Sequence, residues 1–283
     1  MATPADGAGR RSFSPALPKF LLKRVVAPLA VFAPLAYFAP YLLALYVFCG
    51  AYDVARNRGL DREVVWRYFF GNGIPTWLLA PFNVLMDLLT LPYINKGVYQ
   101  LGDLPPAYQA EVRQLIEAAR EENLVGQVEE RAKAFRRTMV FFKWYGVNVD
   151  TFLNIPAFRR RWTYIQTIGV SVFNRKSSTS KHFGPLRATL RILYNLNDID
   201  HDDAYIVVGD KSNYWRESKL FIFDDTLMHQ SFNESEQPRY CLFVDILRPS
   251  LFPRVMESMV ALVRVVSRSF NFIFYKHWRV IER

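Results

Sequence analysis

Cysteine is nearly absent. Cys49 and Cys241 are the only two in 283 residues, which excludes a disulfide framework. Cys49 falls in an apolar run and Cys241 in a strand-like run, so both are expected as buried thiols. Histidine is scarce as well, with four in the chain. Acidic residues are the minority charge: 26 Asp and Glu against 36 Lys and Arg leave a formal net charge of +10. Two partners fit that balance, nucleic acid and an anionic membrane surface. The hydrophobic and aromatic residues, 51% and 16% of the chain, concentrate at its two ends. That favours the membrane and argues against nucleic acid.

Residues 1–24 read as a flexible basic tail, with Pro4, Gly7, Gly9 and Pro15 among Arg10, Arg11, Lys19, Lys23 and Arg24. Val25 to Tyr52 is uncharged over 28 residues, long enough to cross a bilayer and longer than a signal-peptide core. Pro28, Pro34 and Pro40 recur through it at six-residue spacing. Each removes a backbone donor and clashes one turn back, so a kinked or re-entrant segment is expected rather than a straight span. Thr76 to Ile94 is also apolar but is interrupted by Pro81, Asp87 and Pro92. Between the two, Trp66, Tyr68, Phe69 and Phe70 lie among Arg62 and Arg67, a mixture suited to a headgroup layer. Residues 25–100 are therefore expected to be membrane-spanning or re-entrant and interfacial. Five Lys and Arg precede the run and four lie between Asp53 and Arg67. A single span would then place the main domain outside, whereas a hairpin returns it to the cytosol. The charge counts alone leave the side of the membrane open between these two.

Pro105-Pro106 opens an amphipathic helix reaching about Phe135, with Val112, Leu115, Ile116 and Ala119 on one face. Gly126 is its expected break, and residues 101–160 form a helical support. The cluster Phe141-Phe142-Lys143-Trp144-Tyr145 suits core and substrate contact equally. From Trp162 the pattern changes to strand-like runs: Thr163–Phe173, Leu186–Leu196, Tyr205–Val208, Lys219–Phe223 and Tyr240–Leu247. Polar turns separate them. Short strands without alternating helices predict an antiparallel barrel or jelly roll over residues 161–250, and an α+β fold overall. In residues 251–283, Val255 to Ile281 predicts a basic amphipathic helix lying in a membrane interface. Packing on the outside of the barrel is the alternative.

Two of the four histidines stand in suggestive places. His182 precedes a strand and His229 follows Phe223-Asp224-Asp225, 47 residues later. On a jelly roll such positions face each other across the barrel mouth, and imidazoles of this kind mark non-haem iron sites. Arg191 falls within an apolar strand and Arg239 opens the last one. An arginine pointing into a barrel needs an anion, and a carboxylate fits it bidentately. Asp224, Asp225 or Asp245 could supply it internally, or a dicarboxylate such as 2-oxoglutarate from outside.

The ordered set His182-Phe183-Gly184-Pro185, Arg191, Trp215, Phe223-Asp224-Asp225, His229, Asn233, Arg239, Asp245 and Pro249 resembles the aspartyl/asparaginyl β-hydroxylase family. These are Fe(II)- and 2-oxoglutarate-dependent dioxygenases on a double-stranded β-helix, and the resemblance covers roughly residues 160–250. It implies iron held by His182 and His229, 2-oxoglutarate held by Arg191, Arg239 and Ser171, and O2 as the oxidant. Asp224 and Asp225 are then strand-capping or arginine-orienting rather than iron ligands. Gly184 stands where most such oxygenases carry an aspartate, a feature shared with the protein-modifying aspartyl hydroxylases. Leu193 and Ser218 depart from the family's histidine and glycine. Leu79 to Met86, Pro92-Tyr93 and Lys143-Trp144-Tyr145 are more loosely similar to the bacterial lipid A 2-hydroxylases.

These resemblances imply a membrane-bound dioxygenase hydroxylating an acyl chain of a membrane lipid, such as lipid A or an ornithine-type lipid. The rival enzyme reading is hydroxylation of Asp or Asn in a peptide or carrier-bound amino acid. From another class, the chain is a non-catalytic membrane-bound jelly roll whose arginines bind an anion.

Overall fold

A computed structural model describes residues 27–57, 62–267 and 278–281. The tail 1–24 lies outside the described residues. The chain divides into two compact units, Met1–Phe48 and Cys49–Arg283.

Helix α1 (Ala27–Phe38) belongs to the first unit, and helix α2 (Pro40–Arg56) begins in it. Pro34 sits inside α1, and Pro40 opens α2, where its missing N–H costs nothing. The prolines thus divide the apolar run into helices of 12 and 17 residues. No helix among the described residues is long and apolar enough to cross a membrane. Tyr37, Phe38, Tyr41 and Phe48 are nonetheless exposed.

In the second unit the end of α2 is followed by α3 (Arg62–Phe70), α4 (Ile74–Leu78), α5 (Ala80–Leu89), β1 (Val98–Tyr99), α6 (Pro106–Glu121) and α7 (Leu124–Ala132). Then come β2 (Arg137–Trp144), β3 (Val147–Asn148), α8 (Pro156–Arg159), β4 (Ile165–Phe173), β5 (Ser177–Ser178), β6 (Thr189–Asn195) and β7 (Ala204–Val208). The remainder is β8 (Lys211–Tyr214), β9 (Leu220–Phe223), β10 (His229–Asn233), β11 (Arg239–Leu247), α9 (Pro253–Ser267) and β12 (Arg279–Val280). A large sheet runs β1-β9-β6-β11-β4-β2-β12, and a small one β5-β10-β7-β8. From β4 to β11 the chain passes back and forth between the two sheets in antiparallel pairings. This is the strand plan of a jelly roll.

Side chains alternate across each strand, so the large sheet has two buried faces. Its outer face, with Ile168, Val170, Ile192, Leu242 and Val244, packs in one cluster with Val112, Leu115 and Ala119 of α6 and Met256 and Val260 of α9. Its inner face, with Met139, Leu193, Phe221, Cys241 and Phe243, meets Ala204, Ile206 and Val208 of the small sheet. Both cysteines are buried free thiols, as expected.

Three boundaries differ from the sequence reading. The middle helix breaks at Asn123, held at φ 43°, rather than at Gly126. The aromatic cluster at 141–145 belongs largely to β2, buried on both faces, so the sheet takes in strands before 161: β2 from Arg137 and, earlier, β1 at Val98–Tyr99. The apolar face of α9 is buried against the jelly roll through Met256, Val260 and Val263, so the interfacial reading of this helix is corrected. Residues 268–277 lie outside the described residues, and β12 after them pairs in parallel with β2 instead of continuing a helix.

A polar network fastens the segment from the end of α2 to residue 95 to the barrel. Arg187, fully buried, binds Asp53 of α2 and, at 2.7 Å, Asp87 of α5. Arg248 binds the other oxygen of Asp87. Arg56 donates to Asp224 at 2.5 Å, and Asn95 to the same oxygen at 2.6 Å. Buried charges of this kind persist only when paired, and here each carboxylate meets an arginine.

Candidate active site

His182 and His229 are neighbours, not partners across a mouth. They form an antiparallel β-bridge, with His182 N–H donating to the His229 carbonyl at 3.0 Å and His229 N–H to the His182 carbonyl at 2.9 Å. Their ring centroids are 4.2 Å apart. Sequence reasoning left His229 outside a strand because His229, Ser231 and Asn233 are the inward positions of β10. Polar inward residues erase the apolar alternation that marks a strand.

Each imidazole is held in one tautomer. Nδ1 of His182 lies 2.8 Å from the Ser180 carbonyl, and Nδ1 of His229 lies 2.8 Å from the Leu227 carbonyl. A carbonyl only accepts, so each Nδ1 carries the proton and each Nε2 keeps its lone pair. Burial lowers the basicity of both rings, most for His229, whose pKa the neighbouring His182 lowers further. Two neutral imidazoles with free Nε2 atoms fit a divalent transition metal. Among the described residues no group of three or more His, Cys, Asp and Glu is placed to hold a metal ion.

The structure gives a reason for Gly184. A Cβ at this position would collide with the carboxyl group of Asp225, while the Gly184 N–H donates to the Asp225 carbonyl at 2.6 Å. Asp225 therefore fills the space into which a side chain at 184 would grow. Burial raises the pKa of its carboxyl group, against the pull of Arg191.

The two arginines separate. Arg191 pairs with Asp225 at 2.9 Å and Asp245 at 2.6 Å and lies 3.9 Å from the centre of the Phe243 ring. Its anions are internal, because the β6–β11 register sets Asp245 directly opposite it. The expected cosubstrate contact gives way to that pairing. Arg239 is 1% exposed and lies between the rings of Phe173 and Trp215, 4.5 and 4.9 Å from their centres. Its Nε and Nη1 have no hydrogen-bond partner, nor does the buried Nε1 of Trp215. Burial lowers its pKa, and no carboxylate offsets this. Ser171 pairs with Cys241 in the β4–β11 ladder, one inward position from the Phe173–Arg239 pair. Its hydroxyl has only a long contact, 3.4 Å, with the Cys241 carbonyl. The inner face thus carries an imidazole pair and a buried guanidinium that has no counter-ion among the described residues.

The loops bearing the histidines are gripped by residues that sequence reasoning missed. Asn57 Oδ1 accepts the N–H of Met228 at 2.8 Å, just before His229. Thr76 donates to the Gly184 carbonyl at 3.2 Å, and Asn83 to the Pro185 carbonyl at 3.0 Å. Their signal was polar residues inside apolar helices. A cleft of about 690 Å³ opens between the β7–β8 hairpin, β9 and residues 95–100, with Leu227 in its wall. Neither histidine lines it.

The aspartyl/asparaginyl β-hydroxylase family model matches residues 109–249, a stretch that contains strands β2 to β11 and all five site residues. That stretch belongs to the aspartyl/asparaginyl β-hydroxylase family. Among relatives, an ornithine lipid ester-linked acyl 2-hydroxylase of Rhizobium tropici is 27% identical over 190 residues, covering 59% of this chain and 67% of that one. The human aspartyl/asparaginyl β-hydroxylase is 27% identical over 95 residues, covering 34% of this chain and 12% of that one. The chain thus spans about two thirds of the first relative and a small part of the second. Of solved structures, the Schizosaccharomyces pombe Cnp3 cupin domain matches 35% of this chain and 63% of its own, at 9% identity and a TM-score of 0.26. The β-hydroxylase assignment rests on the family model and the relatives, and the jelly roll on strand order.

Proposed function

We propose that this β-hydroxylase family member is a Fe(II)- and 2-oxoglutarate-dependent dioxygenase that hydroxylates an acyl chain of a membrane lipid, of the lipid A or ornithine-lipid class. One observation carries the cosubstrate: Arg239, an arginine fully enclosed by the barrel with two N–H groups unpaired. A buried charge without a counter-ion is costly, and a carboxylate matches a guanidinium fork. Arg239 would hold the distal carboxylate of 2-oxoglutarate, with Ser171 one inward position away on β4 and the rings of Phe173 and Trp215 around the guanidinium. His182 and His229 hold iron through their Nε2 atoms. Bound there with O2, iron would supply the oxidation of a C–H bond. Asp225, Asp245 and Phe243 fix Arg191, a role in shaping the site rather than in binding the cosubstrate. The enclosing aromatic residues exclude water.

Two observations support a lipid substrate. The Rhizobium relative acts on an ester-linked acyl chain, as its name states. And the helices that grip the His182 loop expose Trp66, Phe70, Leu78, Leu85, Leu88 and Leu91. Large apolar side chains gathered in this way mark an interaction surface, and a net charge of +10 favours an anionic bilayer. The protein is proposed to lie on the cytoplasmic face of a bacterial inner membrane. The peptide or carrier-bound amino-acid reading is supported by the family's own description and by Gly184.

Mass spectrometry of total lipids with and without the gene separates these readings. A lipid class gaining one oxygen per acyl chain only when the wild-type gene is present is expected. An unchanged lipid profile accompanied by a hydroxylated peptide overturns the lipid reading.

A further inference from the structure

A second cavity, of about 370 Å³, contains none of the residues assigned to the iron and cosubstrate site. Its wall includes Lys143, Asn148, Arg159, Arg160, Arg161 and Trp162. Lys143 is 5% exposed and donates to the amide oxygen of Asn148 at 2.8 Å. Among the described residues, no carboxylate pairs with it. Burial lowers its pKa. Arg159 reaches Asp150 only at 3.6 Å, and its Nε is buried without a hydrogen-bond partner. The indole Nε1 of Trp162 is buried and unpartnered too. The guanidinium carbon of Arg160 lies over that indole, 3.7 Å from the ring centre, and Arg160 donates to Gln114. Arg161 is exposed and has no ion pair among the described residues. The single carboxylate in the wall is Glu257, on exposed α9 surface.

Four cations, one of them buried, share the wall with one carboxylate, Glu257, and Arg159 has Asp150 outside the wall at 3.6 Å. The Arg159 Nε and the Trp162 Nε1 have no acceptor among the described residues. Ammonium, guanidinium and indole N–H all donate and none accepts. A buried ammonium whose only partner is a neutral amide is costly, and the group that completes it is an anion with several acceptor oxygens. We propose that this cavity binds a phosphate monoester, with Lys143 as the buried point charge, Arg159 and Arg161 as forks, and Trp162 Nε1 as a neutral donor. A phosphate monoester suits it better than a carboxylate, because a near-divalent anion with three free oxygens matches more of these donors. The volume exceeds that of a bare ion and leaves room for the group the phosphate is attached to. A lipid headgroup and a soluble phosphorylated molecule share this chemistry.

Calorimetric titration of the full-length protein with inorganic phosphate and with glycerol 3-phosphate, at constant ionic strength, tests the site. Saturable binding is expected. It is expected to weaken at least about tenfold in Arg161→Ala and in Trp162→Phe, the loss of one charge-assisted hydrogen bond. Arg161 is exposed, so the thermal unfolding temperature of Arg161→Ala should stay near that of the wild type. Trp162 belongs to the buried core, so Trp162→Phe should melt lower and is assayed well below its own unfolding temperature. Flotation with phosphatidylcholine vesicles with and without phosphatidate then identifies the source. Phosphatidate-dependent flotation that Trp162→Phe reduces assigns a lipid headgroup, since that substitution leaves surface charge unchanged. Phosphate binding without such flotation assigns a soluble ligand. Absence of saturable binding, or binding unaltered in both variants, overturns the proposal.

Discussion

Replacing either His182 or His229 with alanine is expected to abolish the conversion of 2-oxoglutarate to succinate. The proposed site has the two imidazoles as its protein ligands, so each substitution removes one of the two. Losing even an outer partner of a metal ligand costs about 10–100-fold, and losing the ligand should cost more than about 100-fold. The fold should survive. The β-bridge between these residues uses their backbone N–H and C=O groups, which alanine retains, and His182 is partly open to solvent. Wild-type succinate formation in either variant, with a native far-UV spectrum, would remove the imidazole pair from the mechanism.

The second large effect is on stability. Arg187→Met should lower the free energy of unfolding by about 3–5 kcal/mol, the cost of breaking a buried ion pair from one side. Burial alone disfavours the Arg187 charge, but Asp53, Asp224 and Asp87 more than offset this. Methionine fills similar volume yet leaves Asp53 and Asp224 buried with a diminished positive field. The same network gives a pH dependence. Burial works against ionisation of Asp224, but Arg56 and Arg187 hold its pKa well below the ordinary value. A depressed carboxylate pKa stabilises the fold at pH above the unfolded value of about 3.9, and that stabilisation fades as pH falls toward the folded value. Urea melts at pH 7 and at about pH 3 should therefore differ more for the wild type than for Arg187→Met. Equal midpoints for the two proteins at pH 7 would show the network to be dispensable.

The parts of the fold that were legible in the sequence share one physical feature. Strands β4, β6, β9 and β11 carry Val, Ile, Leu and Phe toward at least one buried face, and their apolar runs announced them. Strand β8 (Lys-Ser-Asn-Tyr) and strand β10 (His-Gln-Ser-Phe-Asn) carry polar residues where apolar ones would have signalled a strand. Strand β2 carries aromatic residues on both faces and looked like a cluster rather than a strand.

The site divides similarly. His182, His229 and Arg239 stand out as rare or charged residues in apolar surroundings. The partners of Arg191 depend on strand register, which composition does not encode, so Asp225 and Asp245 could only be named as candidates. Arg187 lies in the stretch between His182 and β6, and its carboxylates come from helices a hundred or more residues earlier. The charges inside the N-terminal apolar segments, Asp53 and Asp87, were the available clue. They are the reason those helices dock on the barrel.

Titration of 2-oxoglutarate into the anaerobic Fe(II)-loaded protein, followed by calorimetry, tests the central claim most directly. The account predicts saturable binding that requires both the metal and Arg239, so that omitting iron or introducing Arg239→Met weakens it at least about tenfold. Absence of binding by the wild type, or equal binding by the wild type and a folded Arg239→Met variant, would contradict it.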